Sequence, residues 1–320
     1  MKIGESKYNS RADLPRISIV TPSFNQGELV EETIRSILLQ DYPNLQYIVI
    51  DGGSSDNSVE IIKKYATRID YWVSEKDRGQ SHAINKGIAR CTGEIFNWIN
   101  SDDLLMPGAL WAVAEAWNHK PDCIVAGGTE LFNEAGTFEV VEAKGQTLTN
   151  FVRFWEAQDF GWCQQSTFIP LKELRAIGGV REDLHFVMDY HMMVKLLMRG
   201  LPVSYLHRTL SRFRFHAVSK TVALKEDFRL QRVPALRSIE NLPVAVEDWE
   251  WDAEQARRFV DVARHAWRQG GYGRAVRLFG RGLETNAAGA ISETWRRLTE
   301  MLRRRMTSPV CRSEHGESLL

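Results

Sequence analysis

Three short apolar stretches, each ending in a polar loop, fall inside residues 17 to 103 and constrain the fold of this chain more than any other feature. Ile17-Ser18-Ile19-Val20 runs into Thr21-Pro22-Ser23-Phe24-Asn25, and Tyr47-Ile48-Val49-Ile50 runs into Asp51-Gly52-Gly53-Ser54-Ser55-Asp56. Ile95-Phe96-Asn97-Trp98-Ile99 runs into Asn100-Ser101-Asp102-Asp103. These stretches are too short for helices and rich in β-branched and aromatic residues, so they predict strands. Between the first two, Val30, Ile34, Ile37 and Leu38 recur with helical spacing behind Glu28, Glu31 and Glu32, whose charges suit a helix N-terminus. Val59, Ile62 and Tyr65 predict a second helix, residues 69 to 73 a further strand, and residues 80 to 89 a third helix. Strands alternating with helices predict an α/β fold with a mixed, mostly parallel sheet and helices on both faces. Ligands of such sheets bind beyond the carboxyl ends of the strands, where all three polar loops fall.

The loops exclude two common phosphate-binding designs. No G-x-G-x-x-G follows the first strand and no G-x-x-x-x-G-K-[ST] occurs, which argues against a dinucleotide fold and a P-loop NTPase. What remains is a site that reads a nucleotide with side chains and holds its diphosphate through a metal. Asp102 and Asp103 follow a strand directly and offer hard oxygen ligands of the kind that suit Mg²⁺ or Mn²⁺. The same Ser101-Asp102-Asp103 also fits a cap for the helix beginning near Pro107, and Asp51 also fits an Asp-Gly turn.

Four ordered motifs carry a resemblance: the first strand with Thr21-Pro22-Ser23-Phe24-Asn25; Asp51-Gly52-Gly53-Ser54-Ser55-Asp56; Asp77-Arg78-Gly79-Gln80 with Asn85-Lys86-Gly87; and Asn100-Ser101-Asp102-Asp103. Over about residues 15 to 220 they resemble family 2 glycosyltransferases of the Rossmann-like GT-A fold, including those that assemble bacterial surface polysaccharides. The resemblance implies a nucleoside diphosphate sugar donor, often linked to uridine diphosphate, a Mn²⁺ or Mg²⁺ cofactor and inversion at the anomeric carbon. By position it places Thr21, Pro22, Phe24, Asn25, Gly53 and Ser101 around the nucleotide. Asp51 would accept from the base, as a carboxylate must, which suits the imino proton of uracil. Asp77 and Arg78 would close over the nucleotide, Lys86 would reach a phosphate, and Asp102 with Asp103 would hold the metal. Two positions depart from the family pattern. Asn100 stands where a carboxylate is frequent, which leaves Asp102 the better metal ligand, and His82, where Asp is frequent, receives no role.

The second half supplies the acceptor side. Residues 164 to 169 predict a strand opening with polar residues, and residues 186 to 199 a helix with Asp189 near its start. By resemblance Asp189 is the general base that removes the acceptor hydroxyl proton, with Glu182 and Asp183 as weaker alternatives. Arg212 to Phe215 alternates basic and aromatic residues as a strand would. By the same resemblance His216 completes the metal site, and Arg214 and Lys220 neutralise phosphate. Acceptor loops of the family fall at about residues 128 to 165, where Trp155 and Trp162 lie, with Gln165 beside them.

Composition bounds the rest. Lys+Arg 41 against Asp+Glu 41 indicates no general nucleic-acid binding. The four cysteines are widely spaced with no C-x-x-C pair, which fits reduced thiols and offers no zinc site. No signal peptide pattern opens the chain, and no run of about 18 apolar residues marks a membrane span. The expected location is therefore cytoplasmic, with any contact to the inner face of a membrane peripheral. The expected organisation is an extension at 1–14, a transferase domain at 15–220 that divides at 103 into nucleotide and acceptor halves, a helical appendage at 221–306 and a disordered tail at 307–320. In the appendage Ala263, Gly271-Tyr272, Ala275, Phe279 and Leu283 are spaced like one tetratricopeptide unit, which must pack on the catalytic domain or on a second subunit. Residues 293 to 306 read as a basic amphipathic helix, either solvated or lying on an anionic membrane that presents lipid-linked acceptors. Saccharide and protein hydroxyls are the other acceptor classes. Two readings of other kinds stay open: a nucleotidyltransferase of similar fold, and a sugar-nucleotide binding subunit without turnover.

Overall fold

The structure is a computed structural model that describes residues 14–216 and 225–307. Lys220, the N-terminal residues 1–13 and the tail 308–320 lie outside the described residues. The chain forms two compact units, Met1–Lys225 with Ile239–Val244, and Glu226–Ser238 with Ala245–Leu320.

In the first unit, nine strands among the described residues form one sheet: β1 (Ile17–Ser23), β2 (Leu45–Asp51), β3 (Tyr71–Ser74), β4 (Ile95–Trp98), β5 (Leu104–Leu105), β6 (Ile124–Asn133), β7 (Gly136–Val141), β8 (Thr167–Pro170) and β9 (Val203–Arg214). Their order is β3-β2-β1-β4-β8-β6-β9-β5, with β7 paired to β6. The first four strands are parallel, β8 runs antiparallel to β4 and β6, and β6 and β9 are parallel again. Helices α1 (Val30–Leu38), α2 (Ser58–Lys64), α3 (Gln80–Arg90), α4 (Ala109–His119), α5 (Leu148–Val152), α6 (Leu171–Ala176) and α7 (Met188–Met198) connect the strands.

Alternate strand residues explain why both faces need cover. Ile17, Ile19, Tyr47, Val49 and Ile95 share a core with Ile34 and Ile37 of α1 and Leu110 and Val113 of α4. On the other face α3 lies so close that a Cβ at Gly87 would meet Val20 Cγ1 at 2.5 Å, which only glycine avoids. Register then places the site: Ser23 pairs with Asp51 and Asp51 with Ser74, so β1, β2 and β3 end level and their loops open side by side. Some elements differ from their sequence reading: residues 128 to 165, expected as loops, carry the end of β6, β7 and α5. The polar residues Gln164–Ser166 form a 3-10 turn, and the strand begins only at Thr167, because both glutamine side chains turn inward to buried partners.

The second unit holds α8 (Lys225–Arg237), α9 (Asp248–Arg268) and α10 (Tyr272–Thr307). A capping box between Glu247 and Glu250 starts α9, and a turn at 269–271 returns the chain into α10. Val262 and Ala263 pack against Leu278, and Ala256 and Val260 against Ala290. At Gly289 a Cβ would stand 2.9 Å from Ala253 Cα, so glycine sets the helix separation. Asn286 interrupts α10 with φ −161° and ψ 101°, and its side chain accepts from the Gly289 N–H at 2.7 Å, capping the second segment. No helix among the described residues is long and apolar enough to cross a membrane.

Candidate active site

Side chains of one loop tie the backbone of the next at the level ends of β1 and β2. Asn25 adopts a left-handed φ of 51°, its N–H donates to Ser54 Oγ at 2.8 Å, and its Oδ1 accepts from the Ser55 N–H at 2.9 Å. The Gly27 N–H donates to Asp56 at 2.8 Å. Beneath them Asp51 is fully buried, and its carboxylate accepts from the Gly53 N–H at 3.1 Å, the Ser54 N–H at 2.9 Å and the Ser74 hydroxyl at 2.7 Å. Thr21 and Pro22 are buried as well, with Thr21 Oγ1 accepting from the Tyr47 hydroxyl at 3.1 Å. Burial pushes that hydroxyl well above its ordinary range.

The accessible rim is formed by Phe24, 59% exposed, and Asp77. Both overhang Gly52, where a Cβ would lie 2.7 Å from Asp77 Oδ2 and 3.3 Å from the Phe24 ring, so glycine keeps this gap open. The remaining carried-over residues of this half have protein partners. Arg78 bonds Glu182 at 2.6 Å, and Lys86 bonds Glu75 at 2.8 Å, holding that carboxyl below its usual range. His82, unassigned from sequence, accepts the Arg78 N–H on Nδ1 at 3.0 Å, tying the turn that leads into α3 to the helix's first turn.

After β4 the two adjacent aspartates have opposite surroundings. Asp103 is fully buried: Oδ2 accepts from Asn100 and Gln165, both at 3.0 Å, and Oδ1 accepts from the Arg214 N–H at 3.1 Å. Burial, then the neighbouring Asp102 charge, pushes its carboxyl well above the usual range, and the three donors oppose that shift. Gln165, expected at the acceptor, thus supports this loop from below, and Ser101 is buried beside it. Asp102 instead faces His216, with Oδ2 2.9 Å from Nε2 and side chains 16% and 18% exposed. Arg214, expected at phosphate, bonds the Asp102 carbonyl at 3.0 Å, ion-pairs Glu32 and lies 4.6 Å over the Phe132 ring. Sequence reading missed Glu32 and Phe132, and no motif marks either one.

On the side expected to take the acceptor, Asp189 sits in the first turn of α7, half-buried, with Oδ1 accepting from the Tyr190 N–H at 2.7 Å. Tyr190 is fixed by its hydroxyl, which donates to the Phe151 carbonyl at 2.6 Å, and its ring packs 4.9 Å from Phe151 and 5.9 Å from Trp162. Trp162 Nε1 is buried and finds no hydrogen-bond partner among the described residues. Trp155 meets Phe154 edge to face at 5.1 Å, and Phe154 in turn meets Tyr190 at 6.4 Å. Cys163 connects this side with the loop of Asp102 and Asp103. Burial pushes its thiol up to about 11, a hydrogen bond from Thr129 lowers it, and the charges of both Asp103 and Asp189 raise it further.

The family model described as Glycosyl transferase family 2 matches residues 18–169. An uncharacterized glycosyltransferase of Mycobacterium tuberculosis is 37% identical over 192 residues, 59% of this chain and 72% of that protein. The chain belongs to glycosyltransferase family 2. An uncharacterized glycosyltransferase of Rickettsia felis is 30% identical over 213 residues, 63% of this chain but 35% of that relative, so this family 2 chain spans about a third of its length. A Campylobacter jejuni protein, the GalNAc(5)-diNAcBac-PP-undecaprenol beta-1,3-glucosyltransferase, is 33% identical over 109 residues, 33% of this chain and 35% of that one. Among solved structures, TarS 1-349 of S. aureus is similar with a TM-score of 0.58 at 16% identity, covering 90% of this chain and 91% of that one. The likeness shows a shared mixed α/β fold of the glycosyltransferase type.

Proposed function

We propose that this chain is a metal-dependent, inverting glycosyltransferase that moves a sugar from a nucleoside diphosphate donor, UDP-linked for preference, to a hydroxyl of a saccharide or lipid-linked saccharide. The convergence of Asp102 and His216 from 114 residues apart, at the mouth of the family's nucleotide loops, carries this reading. One carboxylate oxygen and one imidazole nitrogen fit Mn²⁺, and less well Mg²⁺, with the other positions left to phosphate and water. A divalent cation held by Asp102 and His216 would neutralise charge on the departing diphosphate. Asp103, engaged by three donors, holds the loop in place beneath them.

Phe24 would stack on the base; Asp51, expected to accept from the base, is buried and engaged by Gly53, Ser54 and Ser74, so Asp77 above it is the accessible carboxylate that could accept a hydrogen bond from an imino N–H. Thr21, Pro22, Asn25, Gly53 and Ser101 shape the floor and loops, and Lys86 and Arg78 would exchange their carboxylate partners for phosphate oxygens. Asp189 would take the proton of the acceptor hydroxyl as its oxygen attacks the anomeric carbon opposite the diphosphate, while Trp155 and Trp162 wall the acceptor. Two likenesses support the choice of substrates. TarS has been crystallised with UDP-GlcNAc, and the C. jejuni relative is named for a glucosyl transfer involving an undecaprenol-linked glycan.

Purified protein should release UDP from a UDP-sugar with Mn²⁺, lose that activity with EDTA and regain it when Mn²⁺ is restored. Full turnover in EDTA would overturn the role of Asp102 and His216. Release of pyrophosphate from a nucleoside triphosphate and a sugar 1-phosphate, with no UDP released from UDP-sugars, would instead establish a nucleotidyltransferase.

A further inference from the structure

Residues 262 to 283 carry Arg264, Arg268, Arg274, Arg277 and Arg281 and no aspartate or glutamate. Arg264 pairs with Asp261 at 3.8 Å, and in a chain that balances 41 cationic against 41 anionic side chains the rest of this acid-free run concentrates positive charge where α9 turns into α10. The same turn displays apolar side chains that the hairpin does not cover: Trp267 is 55% exposed, Tyr272 57% and Val276 63%. The Trp267 and Tyr272 rings meet edge to face, 4.7 Å between centroids, across the turn at 269–271. Tyr272, Val276 and exposed Leu283 lie on one helical face, while Ala275 and Leu278 fill the interior.

We propose that the tip of the α9–α10 hairpin is a docking surface for an anionic lipid bilayer. Trp267 and Tyr272 enter at headgroup level, Val276 and Leu283 extend the apolar strip, and the arginines meet lipid phosphate. Amphipathic aromatic rings favour that interface, and arginine stems reach along an apolar surface to hold their charge in the headgroups. Complementary charge selects this occupant over a second copy of the hairpin, whose arginines would repel these. The strip of Val276 and Leu283 selects it over nucleic acid, whose phosphates leave aliphatic side chains uncovered. This docking surface is separate from residues 293 to 306 and stands whether or not the chain transfers a sugar.

Sedimentation of the full chain with phosphatidylcholine vesicles, with and without phosphatidylglycerol, tests the proposal. Binding should require phosphatidylglycerol, weaken at high salt, and fall by about fivefold for each arginine removed. Arg268→Glu with Arg277→Glu should abolish it, and Trp267→Ser with Tyr272→Ser should weaken it, with circular dichroism and thermal melting confirming that these exposed substitutions leave the fold intact. The proposal is overturned if the wild type ignores phosphatidylglycerol vesicles or binds phosphatidylcholine equally well. It is also overturned if only an Arg303→Glu, Arg304→Glu, Arg305→Glu variant loses binding, or if the tip variants lose affinity for single-stranded RNA while vesicle binding stays unchanged. UDP release with a soluble acceptor, measured on the same variants, keeps this result apart from the enzymatic reading.

Discussion

The two sides of the candidate site are held by different forces. Around the loops proposed to take the nucleotide, short directional bonds run between side chain and backbone: Asn25 with Ser54 and Ser55, Asp56 with Gly27, and Asp51 with Gly53 and Ser54. Around Asp189 the support is aromatic: Phe151 meets Phe160 at 4.9 Å, Trp162 at 5.3 Å and Tyr190 at 4.9 Å, with the Tyr190 hydroxyl as the polar tie to Phe151. Hydrogen bonds fix atoms to within a few tenths of an ångström and tolerate little substitution, which suits a donor whose diphosphate has one shape. Aromatic packing holds a helix start while leaving its outer wall free to vary, which suits acceptors of many shapes.

The largest expected effect separates the two sides at once. Asp189→Asn should lower kcat by about 10² to 10⁴ and leave the donor dissociation constant unchanged in calorimetry, because the proposed base would act only on the acceptor proton. Wild-type turnover in this variant would move the base to another residue and dissolve the division. Next, Asp102→Asn should remove several kcal/mol of leaving-group stabilisation and shift the Mn²⁺ concentration for half-maximal turnover upward, with His216→Gln reproducing the shift. A Mn²⁺ titration that superimposes on the wild type would place the metal elsewhere.

How far the sequence revealed these two sides follows from the same physics. Strands β1, β2 and β4 and helix α1 were legible because their apolar periods are short-range and unmixed, and the polar loops stood out as the places where those periods stop. What the loop residues bond was not legible. Asp102 and Asp103 are adjacent in sequence and alike in chemistry, yet one is buried under Gln165 and Arg214 and the other faces His216. That division depends on β9 passing the end of β4, a contact between residues 111 or more positions apart. For the same reason Arg214 reads as a free cation in the sequence, whereas the structure seats it between Glu32 and Phe132. The bond of His82 has no periodic signature in the sequence, because it joins a side chain to a backbone N–H four residues earlier.

Stability against pH should also divide by region, through His191 on α7. Its pKa is lowered from 6.5 to about 4, by burial first and then by the charges of Arg181 and Lys195, with Asp183 opposing. A base whose folded pKa lies below its unfolded value is held neutral by folding. It costs nothing above pH 6.5 and destabilises progressively as pH falls from 6.5 towards 4, by up to about 3 kcal/mol. Urea denaturation of the wild type and of His191→Gln at pH 7 and pH 4.5 should therefore show a gap that narrows or reverses in favour of the variant on acidification. A gap independent of pH would mean that His191 titrates normally.

The smallest effect tests whether the donor loops act as one body. Asp56 accepts from the Gly27 N–H at 2.8 Å and from the Ser58 N–H at 3.0 Å, and its role here is to latch the β1 loop to the β2 loop. Asp56→Ala should cost about 1 kcal/mol of stability, the usual range for losing such a latch, and because the latch orders the loops that receive the donor, donor affinity should weaken by a factor of a few. With donor saturating, kcat should stay at the wild-type value, since the acceptor wall is supported elsewhere. Tyr190→Phe, which deletes only the hydroxyl tie to Phe151, should show the converse: an unchanged KM for donor and a raised KM for acceptor. Should both variants move the same constant, the loops and the aromatic wall are a single cooperative unit, and the distinction between directional and packed support has no kinetic meaning in this molecule.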